Sequence, residues 1–204
     1  DLSNKRSWKL NTGSLYVVGP KDRHRLSIKG NAEVISIFNP AISGTEKHDA
    51  DGTFEASGNI PNAWIGEKGQ SMFVVREEDA KKITLGDGRT KVTRYLTAAN
   101  KCGITVSMPR GSAGWSTILW YKNHVEANFV LDGEGSVEDL TTGEQWDLYP
   151  GTLYVVGPKD RHRLRTKTAM QIMSIFNPAL EGDETHDADG SYPPTGEIPS
   201  AWSS

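Results

Sequence analysis

Apolar side chains in this chain come in short runs, not in helical stripes. Val, Ile, Leu, Tyr and Phe gather at 14–18, 33–38, 72–75, 103–108, 125–131, 152–156 and 171–176. Gly and Pro, 21 and 10 of them, lie between these runs and mark turns. Runs of four to eight such residues predict strands, and many short strands with frequent turns predict an all-β sandwich or barrel. Only residues 76–83 (REEDAKKI) predict a helix, because acidic residues come first and lysines last, as the helix dipole favours.

The pattern repeats at long range. LYVVGPKDRHRL occurs at 15–26 and again at 153–164, an offset of 138 residues (153 − 15). The same offset carries SIFNPA from Ser36 to Ser174, HDADG from His48 to His186, and Trp8 onto Trp146. Residues 1–66 therefore match 139–204 without insertion, and residues 67–138 occur once. So long a period is a whole domain and not a solenoid unit. It predicts an orphan second half at 1–66 followed by a complete copy at 67–204. A permuted pairing of 1–66 with 67–138 is the rival arrangement. An isolated half would leave open sheet edges, so it is expected to pack against other strands, in its own chain or by exchange with a second one.

Composition narrows the function classes. The 204 residues carry 23 basic and 26 acidic side chains, a net charge of −3, mixed along the chain. This excludes a strongly basic surface and predicts neither a nucleic-acid nor a membrane partner. No apolar run is long enough to span a bilayer. The single cysteine, Cys102, forbids an intrachain disulfide and fits a cytoplasmic location.

The chemistry-bearing residues cluster in the complete copy. GWSTILWYKNHVEANFVLDGEG at 114–135 ends in a glycine turn, and Pro150-Gly151 opens LYVVGPKDRHRL. This two-motif layout is that of the cupin superfamily, a jelly-roll β-barrel. MFVVREEDA, YKNHVEANFVLDGEG, PGTLYVVGPKDRHRLR and IFNPALEGDETHDADGSY run collinearly over about 71–193 and resemble the ectoine synthase family. The resemblance implies an iron-dependent enzyme that closes the ring of an N-acetylated diaminobutyrate with loss of water. It implies Glu126, Tyr154 and His162 as metal ligands, with other divalent ions compatible with the same donors. It implies catalytic roles for Tyr121, Glu184 and His186, substrate contacts at Arg94, Trp120, Ser174 and Phe176, and a homodimer. Tyr154 and His162, separated by a GPKD turn, are expected on adjacent strands with both side chains inward. His124, two residues before Glu126, is a fourth ligand or a supporting donor.

Each residue also has a plainer reading. Glu126 and His162 could be hydrogen-bonded core residues, Tyr121 and Tyr154 core aromatics, and Arg94 a solvated surface group. The half copy repeats Tyr16, His24, Phe38, Glu46 and His48 but offers no second Glu126, so one active site per chain is expected. Departures from the family fall at Thr90, Pro109, Ile118, Trp120 and Ser174, around the pocket and not in the metal trio. They keep two alternatives open: another metal-cupin lyase acting on a small organic acid or sulfonium compound, and a non-catalytic duplicated cupin that only binds.

Overall fold

The computed structural model describes residues 1–55, 57–65, 70–85 and 88–203. The chain divides into two compact units, Asp1–Val75 and Arg76–Ser204. The boundary expected between residues 66 and 67 lies outside the described residues.

In the first unit, β1 (Leu15–Val17) and β2 (Phe73–Val75) pair antiparallel, with Leu15 opposite Val75 and Val17 opposite Phe73. The indole of Trp64 covers Gly19 so closely that a Cβ there would lie 2.3 Å from Cε3. The run at 33–38, expected as a strand, forms none, and Val34, Ile35 and Phe38 stay 52%, 46% and 46% exposed. A strand needs hydrogen-bonding neighbours. The strands that flank the counterpart of this run lie in residues 67–138, which the repeat does not duplicate.

The second unit holds β3 (Lys81–Thr84), β4 (Lys91–Leu96), β5 (Thr105–Gly111), β6 (Ser116–Leu119), β7 (Val125–Asp132), β8 (Gly135–Asp139), β9 (Gln145–Leu148), β10 (Leu153–Val156), β11 (His162–Thr166) and β12 (Met170–Asn177). They form a six-stranded sheet, β10-β7-β12-β5-β4-β3, and a four-stranded sheet, β6-β11-β8-β9. All pairings are antiparallel, and the two sheets share a core: Val130, Met170 and Ile172 from one pack with Val137, Leu148 and Leu164 from the other. Burying each such side chain contributes about 1.5–3 kcal/mol. This is the all-β, double-sheet jelly roll that the pattern predicts.

Two local expectations are corrected. Residues 76–83 are not a helix. Ala80 N–H and Asp79 N–H bond to the Arg76 carbonyl in a turn, and Lys81–Thr84 enters β3 with Ile83 opposite Val92. Eight residues are too few to sustain a helix in water, whereas pairing with β4 gives Ile83 a place in the sheet. Nor are Tyr154 and His162 on adjacent strands: β10 and β11 belong to different sheets, and the Gly157–Asp160 turn crosses between them.

The glycine turn after β7 is demanded by space as well as by conformation. Gly133 has φ +88°, and a Cβ on it would lie 2.2 Å from the Ala169 carbonyl oxygen; Gly143, at φ +76°, faces open space. Gly143→Ala is expected to cost about 1–2 kcal/mol from the left-handed backbone alone. Gly133→Ala should cost clearly more, because β7 and β12 must also move apart. Urea unfolding of the two variants compares them directly.

Candidate active site

Strand alternation builds the site. Along β7, Glu126, Asn128 and Val130 are buried while their neighbours are only half-buried. An apolar strand that turns a carboxylate and an amide inward does so at a cost, since buried polar groups must be satisfied. The cavity between the two sheets is where they point. Tyr121, Glu126, Tyr154, Phe176, His186 and Tyr192 surround its polar end.

Three of the predicted residues carry the metal question. Glu126 stands in register with Val156 of β10 and Phe176 of β12, and Tyr154 stands opposite Asn128, so both side chains face the cavity. Burial pushes the Glu126 carboxyl up to about 7, against the pull of the neighbouring Asn128 and Ser174 side chains. Burial, then the charge of Glu126, holds the Tyr154 hydroxyl well above its ordinary value. His162 opens β11 and is 1% exposed. Its Nδ1 lies 3.0 Å from the Asp160 carbonyl oxygen, which fixes Nδ1–H as the donor and leaves Nε2 as a lone pair. That Nε2 is buried without a hydrogen-bond partner. Burial lowers the imidazole pKa, so the ring is kept neutral, the form a metal requires. His162 sits behind Tyr121, with ring centroids 6.1 Å apart.

The predicted catalytic residues converge at the same end. Tyr121 Oη lies 3.1 Å from His186 Nε2. Burial and the charge of Glu126 keep the Tyr121 hydroxyl protonated. Tyr192 lies against His186 at 4.5 Å and stacks on Tyr121 at 5.6 Å between centroids. Glu184 is occupied: it accepts from Arg94 Nη1 at 2.9 Å and from the backbone N–H of Glu181 and Gly182. Burial raises its carboxyl, but these hydrogen bonds and the Arg94 charge outweigh that and hold it below the usual range. Arg94, whose plainer reading is a solvated surface group, is 2% exposed, with its guanidinium 5.4 Å from the Tyr192 ring centre. Phe176 and Ser174 line the cavity. Trp120 does not line it, and its Nε1–H donates to the Pro158 carbonyl at 2.7 Å. His124 is fully buried and its Nε2 meets Thr195 Oγ1 at 3.0 Å.

Sequence reasoning missed Tyr192, Asn128 and Ser107. Asn128 had a readable signal, a polar residue at the inward parity of an apolar strand. Ser107 shares that parity on β5. Tyr192 lies beyond the last strand, where no periodicity applies.

An inward-facing set of carboxylate, phenol, imidazole and guanidinium groups between the sheets of a jelly roll defines a cupin enzyme. Comparison with known proteins gives the family. The ectoine synthase family model matches residues 1–58 and 72–196. The L-ectoine synthase of Oceanobacillus iheyensis is 46% identical over 100 residues, covering 49% of this chain and 78% of that protein. That of Saccharopolyspora erythraea is 43% identical over 124 residues, covering 59% and 92%. The crystal structure of ectoine synthase from P. lautus aligns at 34% identity and TM-score 0.48, over 62% of this chain and 90% of that one. The chain belongs to the ectoine synthase family. No helix among the described residues is long and apolar enough to cross a membrane.

The opposed shifts of two neighbouring groups give a pH test. Glu126 is raised from 4.5 to about 7, so its contribution to stability is present below pH 4.5 and is lost as pH rises to about 7. His124 is lowered from 6.5 to about 4 by burial, so its contribution is present above pH 6.5 and is lost as pH falls toward about 4. In chelator-treated protein the two slopes oppose each other between the values 4.5 and 6.5. Glu126→Gln removes one and leaves the other. The variant should therefore lose stability more steeply than the wild type on acidification across that window, by up to about 1.4 kcal/mol per pH unit. Urea unfolding at both ends of the window measures the difference.

Proposed function

We propose that the chain is an iron-dependent cyclase that closes the ring of N-acetylated diaminobutyrate, or a closely related N-acylated amino acid, with loss of water. One observation carries the reading: His162 Nε2 is buried, unpartnered and in the ligating tautomer, and its ring stands 6.1 Å from that of Tyr121, which lines the cavity together with Glu126 and Tyr154. Imidazole, carboxylate and phenol suit iron and leave positions open for substrate. Bound iron would supply a Lewis acid for the amide carbonyl.

The chain's own groups would do the rest. Arg94 is the candidate partner for the substrate carboxylate, and Glu184 holds its guanidinium in place. Tyr121 and His186, in hydrogen-bond contact, would move the proton released by the attacking amine, because the Tyr121 hydroxyl keeps its own proton and His186 Nε2 stands beside it. Phe176 and Tyr192 wall the cavity and keep water from the reacting centre. A homodimer, with residues 1–66 exchanging strands with a second copy, accords with the exposed apolar side chains at 34–38. The lone cysteine accords with a cytoplasmic enzyme.

Purified protein supplied with ferrous iron and N-acetyl-diaminobutyrate should form the cyclic product. His162→Ala and Glu126→Ala should each lower iron content and reduce turnover by about 100-fold or more, with the far-UV spectrum of the wild type retained. Full iron and full turnover in either variant would overturn the assignment.

A further inference from the structure

The six-stranded sheet carries a polar row across its cavity face. Reading the register from strand to strand, Arg94 of β4 is opposite Ser107 of β5, Ser107 opposite Ser174 of β12, Ser174 opposite Asn128 of β7, and Asn128 opposite Tyr154 of β10. Arg94, Ser107, Ser174 and Asn128 are each 2% exposed. In the sheet positions on one side of this row, Val92, Pro109 and Ile172 face the cavity; on the other stand Phe176 and Glu126. A hydrophobic core gains nothing from such a row, because each unsatisfied buried group weakens the fold. Yet three of its atoms have no partner: Arg94 Nε, Ser107 Oγ and Asn128 Nδ2.

The geometry at Asn128 is the most specific. Ser174 Oγ donates to Asn128 Oδ1 at 2.5 Å, and the Glu126 carboxyl beside the amide, which as carboxylate can only accept, favours the same orientation with Nδ2 turned away from Ser174. The oxygen is satisfied, and Nδ2 meets no partner at hydrogen-bond distance; it lies beside the Glu126 carboxyl, whose pKa it lowers, and has a second N–H to offer a ligand. Asn128 and Glu126 are two residues apart on one face of β7, so an anionic ligand group at Asn128 would meet a carboxyl beside it. A neutral carbonyl oxygen in the same place is repelled far less. The far end of the row, at Arg94, is the place for a negative charge.

We propose that Asn128 is a specificity-determining residue that donates a hydrogen bond to the acyl carbonyl of an N-acylated amino acid, and that Ser174 is a positioning residue that orients its amide. This rests on the cyclase reading and adds to it the group that recognises the acyl end. Metal is not required for the contact: both donors belong to this chain.

The test is the double variant Asn128→Val/Ser174→Ala, which removes both polar partners together and leaves an apolar strand pair. Three measurements are made on the iron-loaded protein: thermal midpoint, iron content, and affinity by calorimetry for N-acetyl-diaminobutyrate and for unacetylated diaminobutyrate. The variant is expected to keep its iron, to melt at or above the wild-type temperature, to bind the acetylated ligand roughly tenfold more weakly, and to bind the unacetylated one as the wild type does. A lower melting temperature together with weaker binding would mean a structural role and overturn the proposal. So would a loss of iron, an equal loss of affinity for both ligands, or unchanged affinity for the acetylated one. If the wild type binds neither ligand, the cyclase reading falls and takes this assignment with it; if the wild type binds and the variant is unaffected, only the assignment falls.

Discussion

Strand β12 is hydrogen-bonded on both edges, to β5 and to β7, and the site exists because of that double pairing. It brings Phe176 opposite Glu126 and Ser174 opposite Asn128, and it fixes the side of the sheet on which all four lie. A slip of one residue would turn the whole set away from the cavity. The chain carries its own control. SIFNPA occurs twice, and only the copy between two partner strands becomes strand and buries its phenylalanine: Phe176 is 3% exposed, Phe38 46%. Identical residues with no flanking strands leave Phe38 to pack on Phe54, 5.5 Å away between ring centres. Sheet neighbours, and not local propensity, decide this segment.

The turns behave in the opposite way. Gly157 N–H donates to Asp160 Oδ2 at 2.8 Å, and Gly19 N–H to Asp22 Oδ2 at 2.7 Å. His162 Nδ1 meets the Asp160 carbonyl at 3.0 Å, and His24 Nδ1 the Asp22 carbonyl at 2.9 Å. The same six-residue geometry appears in both units because short polar side chains bonding their own backbone need no distant partner. Histidine orientation and tautomer are thus local properties. What differs is burial: His162 is enclosed and His24 is exposed. Glu46 and Glu184 follow the same rule, each capping the backbone just before it, but only Glu184 meets an arginine.

This division explains how much was legible in the residues. Period-two alternation and turn residues located β1, β2, β5, β7, β10 and β12, and the repeat located the complete copy. Charged or Gly-rich strands such as Lys81–Thr84 and Gly135–Asp139 carry little apolar signal, so they went unread. Spacing could place Tyr154 and His162 a turn apart, but not say that the turn passes from one sheet to the other. Glu184 carried a catalytic expectation, and nothing near it in the sequence shows that it is paired; Arg94 lies 90 positions away and reaches it only through the fold. Asn128 was open to reading, since it is the next inward position after Glu126 on the same strand.

The Arg94–Glu184 pair also shapes the electrostatics around Glu126. Both side chains are nearly inaccessible, 1% and 8% exposed, so removing either would leave a buried charge unmatched. An unpaired arginine in this cavity would favour the carboxylate form of Glu126 and pull its pKa down. Because Glu184 neutralises the guanidinium, the causes acting on Glu126 are burial, which raises it, and two neutral side chains, which lower it less. The carboxyl is therefore held near neutrality, ready to give up its proton when a positive charge arrives. If that charge is a divalent cation held with His162 and Tyr154, its uptake and the release of the Glu126 proton become one event. The ion pair does not then need to touch the metal to matter to it: it keeps the site short of one positive charge.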